Sequence, residues 1–273
     1  MNSYRNNRIV NKEQYYTNAD IAEKCVKEAL KYVKNDLLVE PCGGTGEFVK
    51  HFENTSNLFS AFDIEPKYKH VEELNFFDWK GTEEKFSIIT NPPYGRNNSL
   101  SVRFFNYAAS LNANYICFLI PISWRKWNIQ NRLDNNYHLV KDIEVTAENM
   151  FYGEEMNNKK GEMRCIFQIW ERRSTIRKKI IIKDNGYLIR STPEEADVKI
   201  THQSYESKIL EITTDFKKIK IPGNFYYKIK NKEVIDKVNY IRKNKLFKKF
   251  TDYSMYFTKS ISFDELNYLL NEL

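Results

Sequence analysis

Asn91-Pro92-Pro93-Tyr94 follows directly on the apolar run Phe86–Thr90. Two consecutive prolines fix φ and remove two backbone donors, which leaves a stiff, extended strip with its carbonyls free to accept. The Asn91 side-chain oxygen and the Pro92 carbonyl can together take both N–H bonds of one amino group, and Tyr94 offers a flat face for stacking. Such a strip suits an NH2 group on a planar ring. Alone, Asn-Pro-Pro-Tyr is also an ordinary proline turn, so its meaning depends on its neighbours.

Upstream, Leu37-Leu38-Val39 runs into Glu40-Pro41-Cys42-Gly43-Gly44-Thr45-Gly46, and a helical pattern follows (Phe48, Val49, Phe52). Glycines between a strand and a helix let the backbone turn tightly and approach a ligand closely. No lysine follows them, which disfavours a nucleoside triphosphate site. Glu40, at the strand end, suits a ligand with a cationic amino group. Asp63 lies nineteen residues after Gly44, where an acidic side chain can accept from both hydroxyls of a ribose. Asp78 could accept from an adenine amine and Trp79 could cover the ring, completing an adenosine pocket.

These residues need a scaffold. Apolar residues from Ile21 to Val33 recur at spacings of three and four, predicting one amphipathic helix with Thr17 or Asn18 as its N-cap. Further strands are expected over 58–64, 86–90, 115–121, 138–145 and 164–171, with helices over 99–111 and 123–133 among them. This alternation argues for an α/β fold, a mostly parallel sheet with helices on both faces. Beyond Arg173 the pattern changes to short strands (178–183, 197–201, 209–213) and two helices (233–243, 262–270). The expected division is 1–172 for the catalytic domain and 173–273 for a small α+β region.

The net charge of +7 is uneven. Residues 1–170 hold 21 Lys+Arg against 22 Asp+Glu, whereas residues 171–273 hold 22 against 14. A basic C-terminal region suits an acidic partner, and nucleic acid is the usual one. Its candidate phosphate contacts are Arg172, Arg173, Lys178 and Lys179, then Lys245 and Lys248. A solvated charged face would have the same composition. The four cysteines are widely spread and form no metal-ligand pair, so no metal is expected. Scattered thiols, no apolar N-terminal run and no membrane-length apolar stretch suggest an intracellular, reducing, cytoplasmic setting without membrane partners.

Taken together, the motifs resemble those of the Rossmann-like class I amino-methyltransferases, specifically the N6-adenine DNA methyltransferases. The matching segments run in the order Gln14-Tyr15-Tyr16-Thr17, Glu40–Gly46, Asp63, Asp78-Trp79 and Asn91–Tyr94, within about residues 14–171. This order is similar to the gamma arrangement. The resemblance implies a seven-stranded sheet whose last strand, 164–171, is antiparallel. It implies S-adenosylmethionine as cofactor, bound by Tyr16, Thr17, Glu40, Pro41, Cys42, Gly44, Gly46, Asp63, Ile64, Asp78, Trp79 and Asn91. Asn91, Pro92, Pro93 and Tyr94 would be catalytic, and Phe151 would join Tyr94 in stacking on a flipped adenine. The implied reaction is methylation of adenine N6 in DNA, with room for an accessory or restriction subunit. Methylation of an RNA base, methylation of a protein glutamine amide, and an inactive nucleic-acid-binding subunit are the alternatives.

Overall fold

The computed structural model describes residues 16–145, 151–152, 164–254 and 259–273. Two compact units result, Met1–Lys179 and Ile180–Leu273. The boundary falls past residue 173 because Arg177 is tied to the first unit. Its Nε donates to the Tyr137 carbonyl (3.2 Å), its guanidinium to the Gln130 carbonyl (2.8 Å), and it lies over the Trp170 ring.

In the first unit, β1 (Tyr16–Thr17) leads into α1 (Ala19–Ala29). Asn18 caps that helix, accepting from Asp20 N at 3.0 Å, and Ile21, Ala22, Cys25, Val26 and Ala29 form its buried stripe. There follow β2 (Leu37–Glu40), α2 (Val49–Phe52), β3 (Phe59–Asp63), β4 (Glu72–Glu73), β5 (Phe86–Thr90), α3 (Ser99–Ser110) and β6 (Tyr115–Pro121). Then come α4 (Trp127–Gln130), β7 (Tyr137–Glu144), β8 (Phe151–Tyr152) and β9 (Cys165–Arg172). Seven of these strands form one sheet in the order β4-β3-β2-β5-β6-β9-β7. All its pairings are parallel except those of β9, which runs antiparallel to β6 and β7. Strand β5 is buried at every position, and β6 at all but Tyr115, as strands covered on both faces must be.

Strand order reverses between β2 and β5. Right-handed crossovers then put the β2–β3 and β5–β6 connections on opposite faces and open a crevice at the carboxyl ends of β2 and β5. This is the Rossmann-like sheet of the class I methyltransferases that the resemblance implies. A separate two-stranded pairing sets β1 antiparallel to β8, with Thr17 opposite Phe151.

The second unit contains β10 (Leu188–Arg190), β11 (Val198–Thr201), β12 (Gln203–Ser204), β13 (Ile212–Thr213), β14 (Asn224–Ile229) and β15 (Lys259–Ser260). Its helices are α5 (Glu233–Lys243), α6 (Lys248–Thr251) and α7 (Phe263–Asn271). Four strands pair antiparallel in the order β10-β14-β11-β13. The strand expected over 178–183 does not form; those residues are almost all exposed, with no sheet to bury their isoleucines. The expectation also lacked β14, where polar Asn224 and Lys228 blur the alternation of a strand with Tyr226 and Tyr227 buried.

Candidate active site

Glu40 closes β2 at the crevice and is 1% exposed. Its Oε1 accepts from Cys42 N (3.0 Å) and from the Thr90 hydroxyl, which reaches across from the neighbouring β5. Its Oε2 is buried and has no hydrogen-bond partner among the described residues. Burial pushes the Glu40 carboxyl up to about 8, against the opposing pull of those two donors. Loss of surrounding water, with the nearby Glu40 and Asp63, likewise holds the Cys42 thiol well above its usual range, which favours the protonated thiol.

The chain then turns through Gly44 (φ 44°) and Gly46 (φ 80°), both in the left-handed region. A Cβ on Gly44 would stand 3.2 Å from the Tyr16 ring, and one on Gly46 only 2.4 Å from the Tyr68 ring. Gly44 N donates to Asp63 Oδ2 (3.0 Å), fastening the glycine turn to the end of β3. Asp63 Oδ1 accepts from Glu65 N (2.8 Å), so each carboxylate oxygen is oriented by a backbone amide. Ile64, next along, is 56% exposed beside this carboxylate. Lys67 donates to the Tyr16 hydroxyl at 2.6 Å. Asp78 is exposed at the end of the turn Phe76–Asp78, which Asn75 caps by accepting from Phe77 N. The Trp79 ring packs against Phe62 (5.5 Å between centroids) and Phe86 (5.1 Å), so it braces the rim of the sheet rather than standing free.

At the end of β5, Asn91 Nδ2 donates to Thr17 Oγ1 (3.1 Å) and Asn91 Oδ1 accepts from the Tyr94 hydroxyl (3.0 Å). The amide plane is thereby held from both sides, by a residue 74 positions away and by one three positions away. Pro92 is buried and Pro93 half-buried. Tyr94 differs from the expected open face: it is 5% exposed, because its hydroxyl turns inward to Asn91 and lies 4.0 Å from Cys165 Sγ. Stacking on a base would require that ring to turn out.

Thus Tyr16, Thr17, Glu40–Gly46, Asp63, Ile64 and Asn91–Tyr94 surround one end of the sheet. Thr90 and Cys165 joined them without being foreseen. Only the β2–β5 register puts Thr90 beside Glu40, and only antiparallel insertion of β9 puts Cys165 near Tyr94. Phe151 is placed by its backbone pairing with Thr17; its side chain, with Gln14, Tyr15, Met150 and Gly153, lies outside the described residues. Arg172, Arg173, Lys178 and Lys179 are exposed at the end of the first unit, where Arg173 pairs with Glu171 at 2.6 Å. In the second unit, Lys245 and Lys248 both approach Glu206. Among the described residues, no cluster of three or more His, Cys, Asp or Glu could hold a metal ion, and no helix is long and apolar enough to cross a membrane.

No protein-family model matches the sequence, and no curated protein matches it. Solved structures do. A Pyrococcus horikoshii protein described as an RNA methyltransferase shares 13% identity (TM-score 0.45; 59% of this chain, 88% of that one). The 23S rRNA methyltransferase ErmE shares 12% (TM-score 0.42; 60% and 71%). A Listeria monocytogenes protein described as a class I S-adenosylmethionine-dependent methyltransferase shares 13% (TM-score 0.39; 60% and 62%).

Proposed function

We propose that the chain transfers a methyl group from S-adenosylmethionine to the N6 amine of adenine in DNA. The observation that carries this reading is the pairing of two features at one crevice. Glu40 holds a buried carboxyl oxygen with no partner among the described residues, and the adjacent strand runs into Asn91-Pro92-Pro93-Tyr94.

An orphaned buried oxygen costs free energy unless something polar meets it. The amino group of the cofactor is a cation of suitable size and charge. Asp63, held by two backbone amides at the end of β3, would accept from the ribose hydroxyls, and exposed Ile64 would offer an apolar face to the adenine ring. Asp78 would accept from the adenine amine, and Gly44 and Gly46 would let the backbone pass close by. Tyr16, Thr17, Pro41 and Cys42 complete the wall. When bound, the cofactor supplies an electrophilic methyl group on a sulfonium.

The protein's part is to make a poor nucleophile competent. The N6 lone pair of adenine is delocalised into its ring. Asn91 Oδ1 and the Pro92 carbonyl would accept the two N–H bonds, favouring a tetrahedral nitrogen whose lone pair points away from the ring. Thr17 prevents the Asn91 amide from turning over. Tyr94 must surrender its bond to Asn91 as the adenine enters, and its freed ring then stacks on the base together with Phe151. A strong base is unnecessary, because the methylated nitrogen is acidic and its proton can pass to Asn91 Oδ1 or water. Inside a duplex the amine is out of reach, so the base flips or arrives unpaired. Arg172, Arg173, Lys178, Lys179, Lys245 and Lys248 would meet backbone phosphates.

The test is transfer of labelled methyl from S-adenosylmethionine to separate DNA, RNA and protein pools, followed by nucleoside analysis. Label recovered as N6-methyladenosine in RNA alone would move the substrate to RNA. Label on glutamine in protein would overturn the reading.

A further inference from the structure

The second unit holds a cleft of about 690 Å3, lined by Asn239, Arg242 and Lys243 of α5, by Lys245 just beyond it, and by Glu206 and Ser207. Helical spacing puts Asn239, Arg242 and Lys243 on one face. Arg242 donates to the Ser207 carbonyl at 3.0 Å and stands 4.0 Å from Glu211. Lys243 is exposed. Lys245 adopts φ 54°, in the left-handed region. Its N–H returns to the Arg242 carbonyl and that of Leu246 to the Ile241 carbonyl, a helix ending that normally takes glycine. A lysine in this strained position delivers an ammonium to the cleft instead. Lys245 and Lys248 converge on one oxygen, Glu206 Oε1, at 3.4 and 3.2 Å. Beside the cleft-lining residues in sequence, Tyr205 and Tyr240 are 73% and 53% exposed, side chains on which unpaired bases can stack.

We propose that this cleft binds a backbone phosphate of the nucleic-acid substrate, with Glu206 standing in the phosphate's place until a strand arrives. The proposal rests on the nucleic-acid reading above. The cations are focused on a single carboxylate oxygen, the arrangement a phosphate oxygen would demand. Exposed carboxylate–lysine pairs are weak and exchange readily, so a phosphodiester offering more acceptors can replace them. The acidic residue then lowers affinity for every strand while keeping the lysines ordered for the exchange.

The experiment is fluorescence anisotropy of the full chain with a labelled single-stranded oligodeoxynucleotide over a range of salt. Glu206→Gln should tighten binding by about three- to fivefold, the loss of one weak competing ion-pair site. Glu195→Gln removes the same charge from a carboxylate paired with Lys228 in the same unit, and it should change affinity far less. Lys245→Gln should weaken binding and lower the log–log salt slope by about 1. Inorganic phosphate should compete only at much higher concentration than the strand. The proposal is overturned if Glu206→Gln behaves as Glu195→Gln does, if Lys245→Gln leaves the slope unchanged, or if free phosphate binds as tightly as the strand. Cofactor titration and methyl transfer by the wild type are read separately. With both intact, these results remove the cleft and leave the enzymatic reading standing; with both absent, the enzymatic reading fails as well.

Discussion

Cofactor affinity should depend on pH through Glu40. Burial holds this carboxyl at about 8 in the cofactor-free protein, and among the described residues its Oε2 has no donor to stabilise a charge. A cationic amino group placed at Oε2 favours the carboxylate, so its pKa in the complex falls. Binding below pH 8 must therefore expel a proton, and affinity must drop as pH falls below that value. With a free-state value of about 8, the ionised fraction rises roughly ninefold between about pH 6 and about pH 7. The α-amino group of this ligand, beside its own carboxylate, stays protonated over that interval, so affinity rises by about the same factor. Isothermal titration with the demethylated cofactor product, in buffers of different ionisation enthalpy, measures both the affinity and the proton released. Glu40→Gln should bind more weakly at pH 8 and lose the ascending limb. Flat wild-type affinity between pH 6 and 7, or an ascending limb retained in the Gln variant, would refute the pairing of Glu40 with a cation.

Asn91→Ala should abolish methyl transfer while cofactor affinity, read by titration, changes little. Asp63→Ala should weaken cofactor binding at least about tenfold, since hydrogen bonds to a charged carboxylate contribute about 1.5–3 kcal/mol each; unchanged affinity would remove Asp63 from the pocket. Tyr94→Phe should retain turnover within a few-fold, because only the resting bond to Asn91 is lost, whereas Tyr94→Ala should forfeit about 1–3 kcal/mol of base stacking, read as a raised KM. Gly46→Ala should destabilise the fold by about 1–3 kcal/mol, read by thermal melting, because the turn requires φ 80° and the new Cβ would meet the Tyr68 ring.

The central sheet was legible because its strands are short apolar runs broken by turn residues. The run Tyr115–Pro121 and the helix Glu233–Lys243 formed as expected. Acid at 40 and 63 marked two strand ends, and glycine at 44 and 46 marked the turn that follows the first of them. Strand β4, with only Glu72 and Glu73, carries no apolar signal and exists through pairing with Phe62 and Asp63. The inward turn of Tyr94 was equally invisible, because it depends on Asn91 and Cys165, and Cys165 is brought near only by the insertion of β9. What escaped the sequence was set by register between distant strands; what it displayed was set within a few residues of chain.

The most direct measurement of the central claim is single-turnover methylation of an oligodeoxynucleotide containing one adenine, with the products resolved as nucleosides by mass spectrometry. The account predicts N6-methyldeoxyadenosine from the wild type and none from Asn91→Ala. Methyl transfer to another atom or base, or equal product from the Asn91→Ala variant, would contradict it.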